Sequence, residues 1–204
     1  MTGPTVFVVD DDEAVRDSLA LLVNSVGLDA ETFASARAFL DAYRSERRGC
    51  LVTDIRMPGM SGLELQEKLT DENVRIPVIV LTGHGDVPAA VRALKGGAID
   101  FVEKPFNPQA LLDLIQQAIA RDAEIRTQFA HEAEIGERMA LLTPREHEVL
   151  ELVVGGRANK VIAADLGISE RTVELHRGRI MRKMQARSLA DLMRMVLPRR
   201  SDGR

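Results

Sequence analysis

Tryptophan is absent from this chain, tyrosine occurs once, and aromatic residues make up only 3% of its 204 positions. Ligand pockets are lined largely by hydrophobic and aromatic side chains, so this scarcity argues against a small-molecule sensor. Cysteine also occurs once, as Cys50, which excludes an internal disulfide. Within Cys50-Leu51-Val52 it reads as a reduced core residue. Long apolar runs are missing too. The longest are pieces such as Ile79-Val80-Leu81, whereas a membrane span needs about 18 apolar residues. Met1-Thr2-Gly3-Pro4 carries neither the basic nor the apolar stretch of a secretory signal. Together these absences predict a cytoplasmic protein with no membrane partner. What remains is an ordinary globular composition, 45% hydrophobic and 28% charged. The length suits one large domain or two small ones.

Charge is unevenly spread. From Met139 onward 13 Lys/Arg face 8 Asp/Glu, a balance of +5, while the residues before it hold 14 basic and 23 acidic, a balance of −9. Such a split predicts an acidic domain that binds cations, joined to a basic domain that meets a polyanion.

The N-terminal part alternates short apolar runs with amphipathic segments. Val6-Phe7-Val8-Val9 is a run of β-type residues suited to a strand buried on both faces. Further strands are predicted at 30–33, 50–53, 77–81 and 99–102. Helices are predicted between them at 14–26, 36–43, 62–69, 88–95 and 108–120. In the first helix Val15, Leu19, Leu22 and Val26 recur at spacings of 4, 3 and 4 before Gly27 stops it. Five strands alternating with five helices imply an α/β fold with a doubly wound parallel sheet. Past residue 108, Leu111, Ile115, Ala118, Asp122, Ile125 and Phe129 keep a heptad-like rhythm that Asp122 breaks. This pattern fits either a continuous helix or a core helix followed by a solvated linker, with Gly136 as the break before the second domain.

From Met139 no strand-like alternation occurs, and four helix starts follow one another. Thr143-Pro144-Arg145-Glu146 is a capping box with proline at the first helical position. Asn159 is expected to cap a second helix that ends at Gly167, Ser169 a third running to about Met184, and Ser188 a fourth. This predicts a small all-α domain. Val173, Ile180 and Met184 fall on an inward stripe of the third helix, while Arg171, Glu174, Leu175, Gly178 and Arg182 share an outward face. The tight Leu166-Gly167-Ile168-Ser169 link before it has helix-turn-helix spacing.

Open parallel sheets bind ligands outside the carboxyl ends of their strands. At those ends stand Asp10-Asp11-Asp12, Asp54, Thr82 and Lys104. Carboxylates gathered at one edge repel each other unless a cation neutralises them, and an all-oxygen set suits Mg²⁺. A lysine and a hydroxyl opposite would complete a phosphoryl site. Each residue alone is ordinary turn or surface chemistry; their joint placement carries the inference.

Val8-Val9-Asp10-Asp11-Asp12, Thr53-Asp54-Ile55-Arg56-Met57-Pro58-Gly59-Met60-Ser61-Gly62, Leu81-Thr82-Gly83-His84 and Phe101-Val102-Glu103-Lys104-Pro105-Phe106 resemble, in order and spacing, the receiver domain of two-component response regulators. The resemblance covers residues 4–122 and implies a flavodoxin-like receiver. In it Asp54 takes a phosphoryl group from the phosphohistidine of a sensor histidine kinase. Asp11 and Asp54 would bind Mg²⁺ directly with the Arg56 carbonyl, and Asp10 through water. Thr82 and Lys104 would hold the phosphoryl oxygens, Phe101 would be the switch aromatic, and Lys104-Pro105 would be cis. Asp12 is left as a helix cap. Arg56 and His84 stand at the positions that influence phosphoryl lifetime.

Leu142-Thr143-Pro144-Arg145-Glu146, Asn159-Lys160-Val161-Ile162-Ala163, Ile168-Ser169-Glu170-Arg171-Thr172-Val173 and His176-Arg177 resemble the LuxR-type helix-turn-helix domain of the NarL/FixJ group. With Gly83-His84-Gly85-Asp86, the arrangement is most similar to the FixJ-like branch. That resemblance implies Glu174, Leu175 and Gly178 at base edges. Lys160, Arg171, His176, Arg177, Arg179 and Arg182 would meet the phosphate backbone, and 188–197 would form a dimer helix. It also implies a homodimer formed on phosphorylation, promoter DNA as partner, and activation of RNA polymerase. The organisation expected is a receiver at 1–122, a helical linker at 123–138 and a DNA-binding domain at 139–204. Two rivals are weighed against it. Aspartyl-phosphate phosphatases carry a second Asp two residues after the nucleophile, where this chain has Arg56, and a ligand-sensing LuxR-type regulator would not need the acidic edge.

Overall fold

The computed structural model describes residues 3–83 and 87–197. His84, Gly85 and Asp86 therefore lie outside the described residues. Contacts divide the chain into two compact units, Met1–Thr127 and Gln128–Arg204.

In the first unit five strands and five helices alternate: β1 (Thr5–Val9), α1 (Glu13–Ser25), β2 (Asp29–Phe33), α2 (Ala36–Ala42), β3 (Gly49–Asp54), α3 (Gly62–Asp71), β4 (Val78–Thr82), α4 (Val87–Lys95), β5 (Asp100–Glu103) and α5 (Pro108–Ala140). All strand pairs are parallel, in the order β2-β1-β3-β4-β5. β3 and β4 are buried along their whole lengths, which is why they read as continuous apolar runs rather than alternating ones.

Strand periodicity sorts the core into two layers. Phe7, Val9, Leu51, Val78 and Val80 point to one face, where they meet Phe33, Phe39, Tyr43, Leu63, Leu65 and Ala93 from the region of α2, α3 and α4. Val6, Val8, Cys50, Val52, Ile79 and Leu81 point to the other, against Leu19 and Val23 of α1 and Leu111, Ile115 and Ala118 of α5. The few aromatics are concentrated in the first layer. Phe7 packs edge-on against Phe39 and Tyr43, with ring centroids 5.8 and 5.3 Å apart.

Local signals account for the helix starts. Asp12 caps α1 by accepting from the Ala14 amide, and Ser61 with Glu64 forms a capping box on α3. Helix α5 is continuous for 33 residues, so Gly136 is not a break. A single interior glycine costs a helix only about 1 kcal/mol relative to alanine, too little to end one by itself.

In the second unit, α6 (Pro144–Val154), α7 (Asn159–Leu166), α8 (Glu170–Met184) and α9 (Leu189–Val196) enclose a core of Leu142, Val149, Leu150, Ile162, Val173, Ile180, Met184 and Leu192. Ile135 and Met139, near the end of α5, pack against that core. The capping box of Thr143 and Glu146 is formed, and Ser169 and Ser188 cap α8 and α9. Asn159 is a correction. It is the first residue of α7, not its cap; the cap position is Ala158, which gives no side-chain bond. The Asn159 side chain is turned instead to α8, where its Oδ1 accepts from Arg177 at 2.9 Å.

Candidate functional site

The sheet carries its acidic residues to one edge, as parallel topology requires. Asp10 follows β1, Asp54 ends β3, Thr82 ends β4 and Lys104 follows β5. Three of these are withdrawn from solvent: Asp10 is 1% exposed, Asp54 9% and Thr82 3%. Lys104 Nζ lies 2.7 Å from Asp10 Oδ2 and 2.7 Å from Asp54 Oδ1, bridging two buried carboxylates. Burial alone would lower the Lys104 pKa, but hydrogen bonds and charges from Asp10 and Asp54 outweigh it and raise it, so the ammonium stays charged. The Lys104-Pro105 peptide is cis.

The remaining oxygens are held by backbone. Asp54 Oδ2 accepts from the Arg56 amide at 2.7 Å, and Asp10 Oδ1 from the Asp12 amide at 2.9 Å. Gly62 is required here: a Cβ on it would meet the Asp54 carbonyl oxygen at 2.1 Å. The start of α3 is thus pressed against the backbone of Asp54, and no side chain can be admitted between them. Arg16, which the sequence reading passed over, donates from one guanidinium nitrogen to the carbonyls of Asp10 at 2.8 Å and Asp11 at 3.0 Å. It ties down the loop that presents both aspartates. An arginine one turn into the first helix was the available signal.

Asp11 is exposed, and among the described residues no three acidic, histidine or cysteine side chains converge into a ready-made metal cage. Mg²⁺ keeps several waters and needs only one or two carboxylates, so this donor set is compatible with it. Two buried carboxylates opposed by one lysine leave a negative site of oxygen donors, which favours a hard cation. Phe101 is 36% exposed on β5, with Val91 and Leu94 of α4 also exposed.

In the second unit the turn between α7 and α8 is closed by Gly167 in the left-handed region at φ 64, with the Ile168 amide donating to the Ala163 carbonyl. On α8, Val173, Ile180 and Met184 are buried, while Arg171, Glu174, Leu175, Gly178, Arg179 and Arg182 are exposed; Lys160 on α7 is exposed too. Arg177 is half-buried through its bond to Asn159, and it fastens α8 to α7. His176 is also half-buried, with a covered Nδ1 that has no hydrogen-bond partner among the described residues. Two braces hold the ends of the domain. Lys183 Nζ donates to Glu146 at 2.6 Å and to the Leu141 carbonyl at 2.9 Å, and Arg138 donates to the Met184 carbonyl at 3.3 Å.

A doubly wound sheet with lysine-bridged carboxylates at its carboxyl edge, followed by a helix-turn-helix, is the make-up of a signal receiver with a DNA-binding output. Comparison with known proteins agrees. Residues 6–116 match the response regulator receiver domain and residues 140–196 the bacterial regulatory proteins of the luxR family. The chain is 53% identical over 192 residues to the transcriptional regulatory protein FixJ of Azorhizobium caulinodans, covering 94% of this chain and 91% of that one. It is 44% identical over 191 residues to the response regulator protein TodT of Pseudomonas putida, covering 94% and 84%. The solved structure of the response regulator StyR is similar with a TM-score of 0.83 and 50% identity, over 96% of this chain and 98% of that one. This chain belongs to the response-regulator family, in the group that joins a receiver to a LuxR-type DNA-binding domain, and is a phosphorylation-dependent transcription regulator. Its relatives are transcriptional response regulators rather than classical enzymes. No helix among the described residues is long and apolar enough to cross a membrane.

Proposed function

We propose that Asp54 accepts a phosphoryl group from the phosphohistidine of a cognate sensor histidine kinase, and that the phosphorylated protein dimerises and binds promoter DNA to activate RNA polymerase. Residues 1–122 are the receiver, 123–138 the helical linker and 139–204 the DNA-binding domain in this reading. The observation that carries it is the Lys104 ammonium 2.7 Å from both the Asp10 and the Asp54 carboxylates.

An Asp54 carboxylate oxygen attacks the phosphorus, the P–N bond to the donor histidine breaks, and its electron pair returns to the imidazole nitrogen. The acyl phosphate carries about −1.5 to −2 charge where Asp54 carried one, so the edge becomes more negative. Lys104, released from Asp54 Oδ1, pairs with a phosphoryl oxygen. Asp11 and Asp54 with the Arg56 carbonyl, and Asp10 through water, would hold Mg²⁺, which offsets phosphoryl charge when bound. Thr82, at the end of the neighbouring strand, donates its hydroxyl to a phosphoryl oxygen, and Phe101 follows it as the switch aromatic. On the output side Glu174, Leu175 and Gly178 face base edges. Lys160, Arg171, Arg179 and Arg182 reach phosphates, while His176 and Arg177 serve the backbone from half-buried positions.

Acetyl phosphate with Mg²⁺ provides the test. Intact-mass measurement is expected to record one added phosphoryl group on the wild type and none on Asp54→Asn. No added mass on the wild type, or the same mass retained in Asp54→Asn, would overturn the reading.

A further inference from the structure

Strand β3 ends in Asp54, and at its first residue lies a buried ionic cluster that the chemistry above leaves unused. Asp122 is 2% exposed and is the last buried residue of α5. Its Oδ2 accepts from the Gly49 amide at 3.0 Å, and both of its oxygens accept from Arg126 Nε at 2.9 Å. Arg126 also donates to the Glu46 carbonyl at 3.4 Å and to the Arg47 carbonyl. A carboxylate on one helix turn and a guanidinium on the next thus grip the backbone that leads into β3. Gly49 lies tight against the backbone of β1: its φ is +138, and a Cβ there would meet the Thr5 carbonyl oxygen at 1.8 Å, so only glycine fits.

The placement is informative because an apolar residue would do the packing better. Leu111, Ile115 and Ala118 are each fully buried, and Asp122 occupies the next place in their series. Buried ion pairs are often no more stabilising than apolar residues of similar size, so they are weak evidence of stability. What they add is direction. A stripe of leucine, isoleucine and alanine tolerates a small slide or rotation, whereas a carboxylate bonded to one amide does not. Beyond Asp122 no residue of α5 is buried, although the helix continues to Ala140. The clasp therefore marks the last turn held by the receiver sheet.

We propose that Asp122 and Arg126 are positioning residues that lock α5 in one register on β3, and that phosphorylation at Asp54 changes DNA binding only while this lock is closed. The inference rests on the function proposed above. It assigns Asp122 and Arg126 no part in phosphoryl chemistry, which separates the two experimentally.

The test uses the full chain with Asp122→Leu/Arg126→Leu, which completes the apolar stripe. DNA duplexes selected from a random pool by acetyl-phosphate-treated wild type serve as the probe. The variant is expected to take up phosphoryl mass as the wild type does, with a melting temperature lowered by the Gly49 amide that loses its acceptor. Its gain in DNA affinity on phosphorylation should fall by about fivefold or more, the lower end of usual couplings between sites. Asp122→Asn, which keeps an acceptor for the Gly49 amide, should recover part of that gain. Should the double variant not fold, Asp122→Asn/Arg126→Gln keeps an acceptor for the Gly49 amide, leaves no buried charge, and is expected to lose part of the gain. An unchanged gain in the double variant, or in Asp122→Asn/Arg126→Gln where only that one folds, would overturn the lock while leaving Asp54 chemistry intact. A wild type that takes no phosphoryl group would instead remove the functional reading, and the lock with it.

Discussion

Replacing Lys104 by methionine keeps the stem of the side chain and deletes the charge between Asp10 and Asp54. Each carboxylate oxygen is 2.7 Å from Nζ, so at most 5.4 Å, twice that distance, separates them. At an effective dielectric near 20, two negative charges that far apart repel by about 3 kcal/mol. Removing one member of a buried ion pair usually costs about 3–5 kcal/mol. Here the Asp54 side chain is 12% exposed and that of Lys104 26%, so water relieves part of the penalty. The expected loss is therefore about 2–3 kcal/mol, a fall of roughly 10 °C in the melting temperature of a unit this size. Tyr43 is the only tyrosine, tryptophan is absent, and Tyr43 is buried in the first unit, so intrinsic fluorescence reports this unit alone. Thermal scans would be run in a chelator and again with excess Mg²⁺. A cation that takes over part of the lysine's charge should stabilise Lys104→Met more than wild type. Equal melting temperatures in chelator, or equal gains with Mg²⁺, would refute the electrostatic account of this edge.

Four further substitutions, one in the receiver and three in the DNA-binding unit, have defined outcomes. Gly62→Ala places a Cβ against the Asp54 backbone, which cannot yield as a side chain would; a loss of about 3 kcal/mol is expected in urea unfolding, with lower phosphoryl uptake by intact mass. Glu146 has its pKa lowered to about 2, chiefly by the Lys183 hydrogen bond and then by the Thr143 amide. Because the folded value lies below the ordinary one near 4.3, this contribution is complete above that pH and is lost as pH falls toward about 2. The Lys183 side chain is 32% exposed, so solvent screening limits the effect to about 1–2 kcal/mol; Glu146→Gln should flatten the pH dependence of the C-terminal unfolding transition between those values. Lys160→Ala should weaken binding to selected and random duplexes alike and reduce the salt slope by about 1, whereas Glu174→Ala should change the ranking among sites. Equal losses on all duplexes for Glu174→Ala would remove it from base reading.

Much of the fold was legible because its signals are local. Apolar runs in β1, β3 and β4 mark strands that are covered on both faces, and Asp12, Thr143, Ser169 and Ser188 all cap the helices they precede. Asn159 shows the limit of such signals. An Asn before an apolar periodic run is a cap by rule, yet its side chain is drawn off by Arg177, 18 residues away. The extent of α5 was undecided for a related reason: beyond Ala118 its periodic positions are polar or half-buried, and exposed helices leave little periodicity to read.

Lys104 and Asp10 are 94 residues apart and Asp122 and Gly49 are 73 apart, yet only the first pair could be anticipated. The difference lies in what converts sequence position into spatial position. For Lys104, parallel topology brings every strand's carboxyl end to one edge, so residues just past four strands must meet. For Asp122 no such rule exists. An acid interrupting an apolar helical series usually means that the helix has left the core, and an arginine four residues on usually means a surface pair. Asp122 and Arg126 match both patterns yet do neither, because Asp122 also bonds to the Gly49 amide and Arg126 to the Glu46 and Arg47 carbonyls. Backbone amides and carbonyls occur at every residue and leave no mark in a sequence. A buried acid that bonds to them becomes visible only once the strand it holds has been located.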